Sequence, residues 1–234
     1  MDAILRDSAA RCLADAVASG QPIGPLPPLA MPRSMLDGQR IAARVLDMLD
    51  LPACGLRLGP PANGKPVPGP VLEGRVLPSG STISMTDLRH ARASAAIVGI
   101  LAEDLPRRGD EMPVFATLHP AIDVGSWRLQ DPPSTGALAA ADLAGLGYIA
   151  IGKGKRGAPT RLRVALAPAG TWRRGEEMDL EAPILAVAMA ARRAGGLPAG
   201  AMLVAPIGPA VDPAPGLELH AALGRLGRAE LHFA

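Results

Sequence analysis

The chain has 234 residues, of which 48% are hydrophobic and 20% charged, with 27 glycines and 25 prolines. That apolar share, with a formal net charge of only +2, excludes a disordered, self-repelling chain and predicts a compact body rich in turns and short elements. The balance of 24 basic against 22 acidic residues argues against a phosphate-tracking surface, and the scarcity of aromatics (Phe115, Trp127, Tyr148, Trp172 and Phe233) against a stacking platform for single-stranded nucleic acid.

In chain order, Ile4, Leu5, Ala9, Cys12, Leu13, Ala16 and Val17 fall at helical spacing, and Gly20 stands where a C-cap belongs, so residues 3–19 read as an amphipathic helix. Residues 21–33 carry five prolines and predict an extended arm. Ser34, with Asp37 three residues on, caps a second helix whose stripe is Leu36, Ile41, Val45, Leu46 and Leu49, ending before Pro52. From residue 53 the texture changes to short apolar runs between Gly, Pro and charged turns: 71–77, 95–101, 114–124, 147–152, 162–167, 201–205, 217–223 and 229–233. One helix over 181–194 interrupts them, with Pro183 in its first turn and Gly195-Gly196 at its end. The organisation expected is thus a helical N-terminal region with a Pro-rich arm over 1–52 and a β-rich body over 53–234.

Cys12 and Cys54 are isolated, which suits a reducing cytoplasm and suggests neither a disulfide framework nor a cysteine-ligated zinc. No apolar run approaches the roughly 18 to 20 residues that span a bilayer. Asp2, Arg6, Asp7 and Arg11 spoil any signal-peptide core, so the reading is cytoplasmic. Phosphate-loop, dinucleotide, zinc-protease and nucleophile-elbow motifs are all missing from the sequence, and His90, His119, His220 and His232 are scattered and read as structural.

The order of segments says more. Gly20 to Leu26, GQPIGPL, resembles a "G.PI.PL" signature; Gly55 to Gly59 stands at a "G.KIG" strand; and Gly69 to Pro78, GPVLEGRVLP, is similar to "G.L.DDMVLPDG". LRHARASAAIVGILAEDL (88–105) resembles "LI.PRVEAEIAFVLGRDL", HPAIDVGSWRL (119–129) "PALEIVDSRI", and AADLAGLGYIAIG (140–152) "TVADNASSGLFVLG". The ending, AGAMLVAPIGPAVDPAPGLELHAALGRLGRAELHF (199–233), follows "AGDIVLSGALGPMVPVAPGD.V.A.F.GLG.V.VRF". Blocks in this order resemble the 2-keto-4-pentenoate hydratase and 4-oxalocrotonate decarboxylase group of the fumarylacetoacetate hydrolase superfamily, over nearly the whole chain. The resemblance implies an α+β fold with a mixed, strongly curved β core, flanking helices and a helical N-terminal region. It also implies a homo-oligomer acting on a small organic acid, without nucleic acid or membrane.

Members of that group hold Mg²⁺ or Mn²⁺ through the two Glu of "EAE" and the Glu of "ALEIVDSR", because a hard divalent cation chelates a 2-keto acid and stabilises its enolate. The matching positions here are Ser94, Ala96 and Asp123. One carboxylate survives, so no resident cofactor is expected beyond weak Mg²⁺ or Mn²⁺. The pocket lysine of "G.KIG" corresponds to Arg57 and the acid of "DDM" to Glu73. Arg57 is then a candidate grip for a substrate carboxylate, and Glu73 either moves protons or pairs with Arg57. Asp142 remains in the "DNASSG" segment, as a substrate contact or a turn cap, while a family hydroxyl becomes Ala205. Two readings stand open. One is a divergent hydratase- or decarboxylase-like lyase for a 2-keto or enol acid, or a less polar relative, with Arg57, Glu73 and Asp123 catalytic and Ser94, Asp142 and Ala205 lining the pocket. The other is a non-catalytic homologue that binds a small ligand or partners an active paralogue.

Overall fold

A computed structural model describes residues 1–62, 64–158, 161–171 and 174–234; Trp172, counted among the aromatics above, lies outside the described residues. Helix α1 (Ala3–Ser19) ends at Gly20 in the left-handed conformation, whose N–H closes onto Ala16 O. The arm follows, touching the body through an Ile23–Leu129 bridge and a single 3-10 turn, Pro28–Ala30. Helix α2 (Met35–Leu49) starts as its capping residues dictate: Ser34 Oγ accepts from Asp37 N at 3.1 Å and donates to Asp37 Oδ2 at 2.9 Å.

The strands are β1 (Ala53–Ala62), β2 (Lys65–Leu72), β3 (Val76–Pro78), β4 (Ser81–Ile83), β5 (Arg92–Leu101), β6 (Phe115–Gly125), β7 (Leu146–Ile151), β8 (Leu162–Pro168), β9 (Glu176–Met178), β10 (Met202–Val211), β11 (Glu218–Leu223) and β12 (Arg228–Phe233). Helices α3 (Gly136–Ala141) and α4 (Glu181–Ala194) interrupt them. Seven strands form one mixed sheet in the order β2-β1-β10-β5-β6-β7-β3, and five form a second in the order β4-β12-β11-β8-β9. The run 71–77 is therefore not one strand. Leu72 ends β2, a 3-10 turn over Glu73–Arg75 intervenes, and Val76 begins β3 at the opposite edge of the same sheet.

Strand β5 is the centre of the molecule. Residues 93–99 are all buried, and alternation sends them to two different cores. Ala93, Ala95 and Ile97 join a cluster with α4 (Ile184, Val187, Ala188) and the second sheet (Val164, Leu219, Ala221, Leu231, Phe233). Ala96 and Val98 join another with Leu13 of α1, Ile41 and Val45 of α2, Val71, Ile149 and Val204. Both faces are covered, which explains a near-continuous apolar strand. No helix among the described residues is long and apolar enough to cross a membrane.

Candidate functional site

Arg57 projects from β1 onto the face of the large sheet that carries Ala96 and Val98, and it is completely buried. Its Nε donates to Asp123 Oδ1 at 3.0 Å and its Nη2 to Asp123 Oδ2 at 2.5 Å, a bidentate fork. Its Nη1 donates to Ala144 O at 2.9 Å. Arg57 and Asp123 stand three strands apart, since β10 and β5 lie between β1 and β6. In a flat sheet that is roughly 14 Å at about 4.8 Å per strand, so the contact exists because the sheet curls around this face.

Small residues make room for the third bond. Leu143 and Ala144 both adopt positive φ (50° and 53°), folding the 142–145 turn against β1 and β2. A Cβ on Gly59 would sit 2.1 Å from Ala144 O, and one on Gly69 would sit 2.5 Å from Ala144 Cβ. Glycine at both positions lets the turn approach closely enough to present its carbonyl to Arg57.

Ser94 and Asp123 are cross-strand partners in the β5–β6 ladder. Together with Ala205 they line a cavity of about 620 Å³, whose other walls are Leu58, prolines 60, 61 and 66 of the β1–β2 hairpin, Pro183 and Ala186 of α4, and Pro206, Gly208 and Ala210 of β10. No hydrogen-bond partner for Ser94 Oγ is found among the described residues. Arg92 stands at the rim, about half exposed, its Nε 2.9 Å from Asp212 Oδ1 and its Nη2 donating to Ala210 O at 3.1 Å.

Of the residues singled out in the sequence, the structure gathers Arg57, Ser94, Asp123 and Ala205. It does not bring Glu73 to Arg57. Glu73 is exposed and opens the 3-10 turn after β2, beside a surface groove with Leu51, Pro52 and Arg75. The ladder register sets Leu72 opposite Ala53, four residues from Arg57, or about 13 Å along the strand. Asp142 is not in the cavity either. It is buried, accepts from Arg128 N at 2.9 Å, and holds the Arg128 guanidinium. Burial pushes the Asp142 carboxyl up, against the lowering pull of Arg128. Ala96, the third metal-ligand position of the resemblance, is packed in the core. Arg92 was missed, although it lies two residues before Ser94, on the same face of the strand.

No family model and no curated protein sequence matches the chain. Solved structures do. 4-Oxalocrotonate decarboxylase from Pseudomonas putida G7, complexed with magnesium and adipate, superposes with a TM-score of 0.85 at 18% identity, covering 100% of this chain and 99% of that one. The chain has the fumarylacetoacetate hydrolase fold. The calcium and acetate complex of the same decarboxylase gives 0.83 at 19% identity over the same shares of both chains. Fumarylpyruvate hydrolase from Pseudomonas aeruginosa, with Mn²⁺ and pyruvate, gives 0.55 at 14% identity over 72% of this chain and 78% of that one.

A divalent ion does not fit the residues this version of the fold presents at positions 94, 96 and 123. Both Asp123 oxygens are engaged by a guanidinium, Ser94 supplies a neutral oxygen, and Ala96 supplies none. A hard cation here would have to compete with a buried positive charge for a single carboxylate. Among the described residues, no three His, Cys, Asp or Glu side chains are arranged to hold a metal ion.

Proposed function

We propose that this chain is a ligand-binding homologue of the hydratase and decarboxylase group, which takes up a small organic acid with a largely apolar body and does not carry out metal-assisted hydration or decarboxylation. The observation that carries this reading is the Arg57–Asp123 fork. It consumes the one carboxylate left at the metal positions and, equally, the guanidinium that a substrate carboxylate would need. Glu73 stands too far off to serve as base. What remains on the cavity wall is Asp123, already neutralised by Arg57, with the Ser94 hydroxyl, Arg92 and apolar residues.

Such a cavity favours an apolar body with one polar end. Arg92 supplies the matching charge at the rim: its pair with exposed Asp212 is worth at most about 1 kcal/mol, so a ligand carboxylate can take Asp212's place. The acids in the similar structures, acetate, adipate and pyruvate, support the ligand class.

Calorimetric titration with monocarboxylic and 2-oxo acids, with and without EDTA, tests this. Binding is expected to be insensitive to the chelator and lost in Arg92→Met. Turnover of 2-hydroxypentadienoate that EDTA abolishes would overturn the proposal and restore the lyase reading.

A further inference from the structure

A second cavity, of about 360 Å³, lies where the two sheets face each other. Val164 and Leu166 of β8, Met178 of β9 and Ile207 of β10 wall it, with Arg174 and Glu176 opposing one another in charge among its lining residues. Ala95 faces this cavity, whereas its neighbour Ser94 faces the first, so the two lie on opposite faces of β5.

Strand β10 links them. It pairs regularly with β5 from Met202↔Ile100 to Ile207↔Ala95, and the next pair is Val211↔Ala93. Gly208, Pro209 and Ala210 thus stand opposite Ser94 alone, an enlarged bulge out of the ladder. Gly208 adopts φ +73°, and Pro209 has no N–H to return to the sheet. Gly208 lines both cavities, Pro209 the second and Ala210 the first. Arg92 is fastened to this bulge through Ala210 O.

We infer that the two cavities form one trough across the bulge, and that the ligand is a medium-chain monocarboxylic acid. Its carboxylate sits at Arg92 and Ser94, and its alkyl tail passes over Gly208 into the space between the sheets. The inference rests on the reading given under Proposed function and adds the ligand's length and shape. Its physical basis is the apolar lining on both sides of the bulge: each methylene moved from water onto such walls raises affinity about threefold to fourfold.

The experiment is a calorimetric series of butanoate, hexanoate, octanoate and decanoate on the full chain. Affinity should climb by about tenfold for each two-carbon step. Val164→Phe, on the wall of the second cavity only, should leave hexanoate unchanged and erase the gain beyond it; Met178→Trp blocks the same space from β9 and serves if the first variant melts early. Equal affinities for butanoate and decanoate, both lost in Arg92→Met, would overturn the trough while leaving the acid-binding reading intact. An undiminished decanoate gain in both well-folded blocking variants would also overturn it. If no acid of any length binds, both fall.

Discussion

Replacing Arg57 by Met removes a fully buried guanidinium that makes two bonds to Asp123 and one to Ala144 O. The aliphatic stem is roughly conserved in volume, so the loss is electrostatic. A buried carboxylate left without its partner costs about 3 to 5 kcal/mol, a large part of the roughly 5 to 15 kcal/mol that holds a domain folded. For a chain of this size each kcal/mol moves the melting temperature by about 2 to 4 °C, so Arg57→Met should melt roughly 6 to 20 °C below wild type. Asp123→Leu strands the opposite charge and should cost a similar amount. The double variant removes both charges and leaves only Ala144 O short of a donor, at about 1 to 3 kcal/mol. It should therefore be more stable than either single variant, with a coupling of several kcal/mol in denaturant titrations. Additive losses, or a drop of less than about 1 kcal/mol for Arg57→Met, would refute a desolvated, mutually dependent pair.

Calorimetric titration of the purified protein with Mg²⁺ or Mn²⁺ should show binding no tighter than about millimolar, because Asp123 is already saturated by Arg57; stoichiometric micromolar binding would refute that. The Cys54 thiol is pushed up by burial and, next, by the Glu73 carboxylate, which disfavours a second negative charge. Glu73→Gln removes that repulsion, so alkylation of Cys54 at pH 8, followed by mass spectrometry, should run faster; an unchanged rate would sever the two residues. Gly59→Ala drives a methyl group against Ala144 O and should destabilise the chain by about 1 to 3 kcal/mol. Its melt would match wild type only if the 142–145 turn stood further away.

What the sequence disclosed was local or full-length in character. The Ser34–Asp37 cap, the Gly20 terminus and the helix over 181–194 are written in a few adjacent residues, and the structure repeats them almost residue for residue. The fold followed from the order of many short segments. The break at Glu73–Arg75 was illegible because its neighbours Val71, Leu72, Val76 and Leu77 read as one apolar run, and only their sheet partners tell them apart. Helix α3 escaped because GALAAA has no polar face to set a period, and residues 138–141 are buried. Glu73 was misplaced for a related reason. Glu73 is the acid that the resemblance sets beside Arg57, but charge partners are chosen in space, and the curl of the sheet delivers Asp123 from 66 positions away.

The short turn between β2 and β3 ties the two outermost strands of the seven-stranded sheet to each other, since β2 occupies one end of the strand order and β3 the other. It works as a seam. The two edge strands are held by a stretch of chain with only three residues of slack, so the curvature that joins Arg57 to Asp123 is enforced by covalent connectivity as well as by packing. Lengthening that seam by a few flexible residues would loosen the hoop at the point farthest from β5, and the ion pair inside it would register the change first.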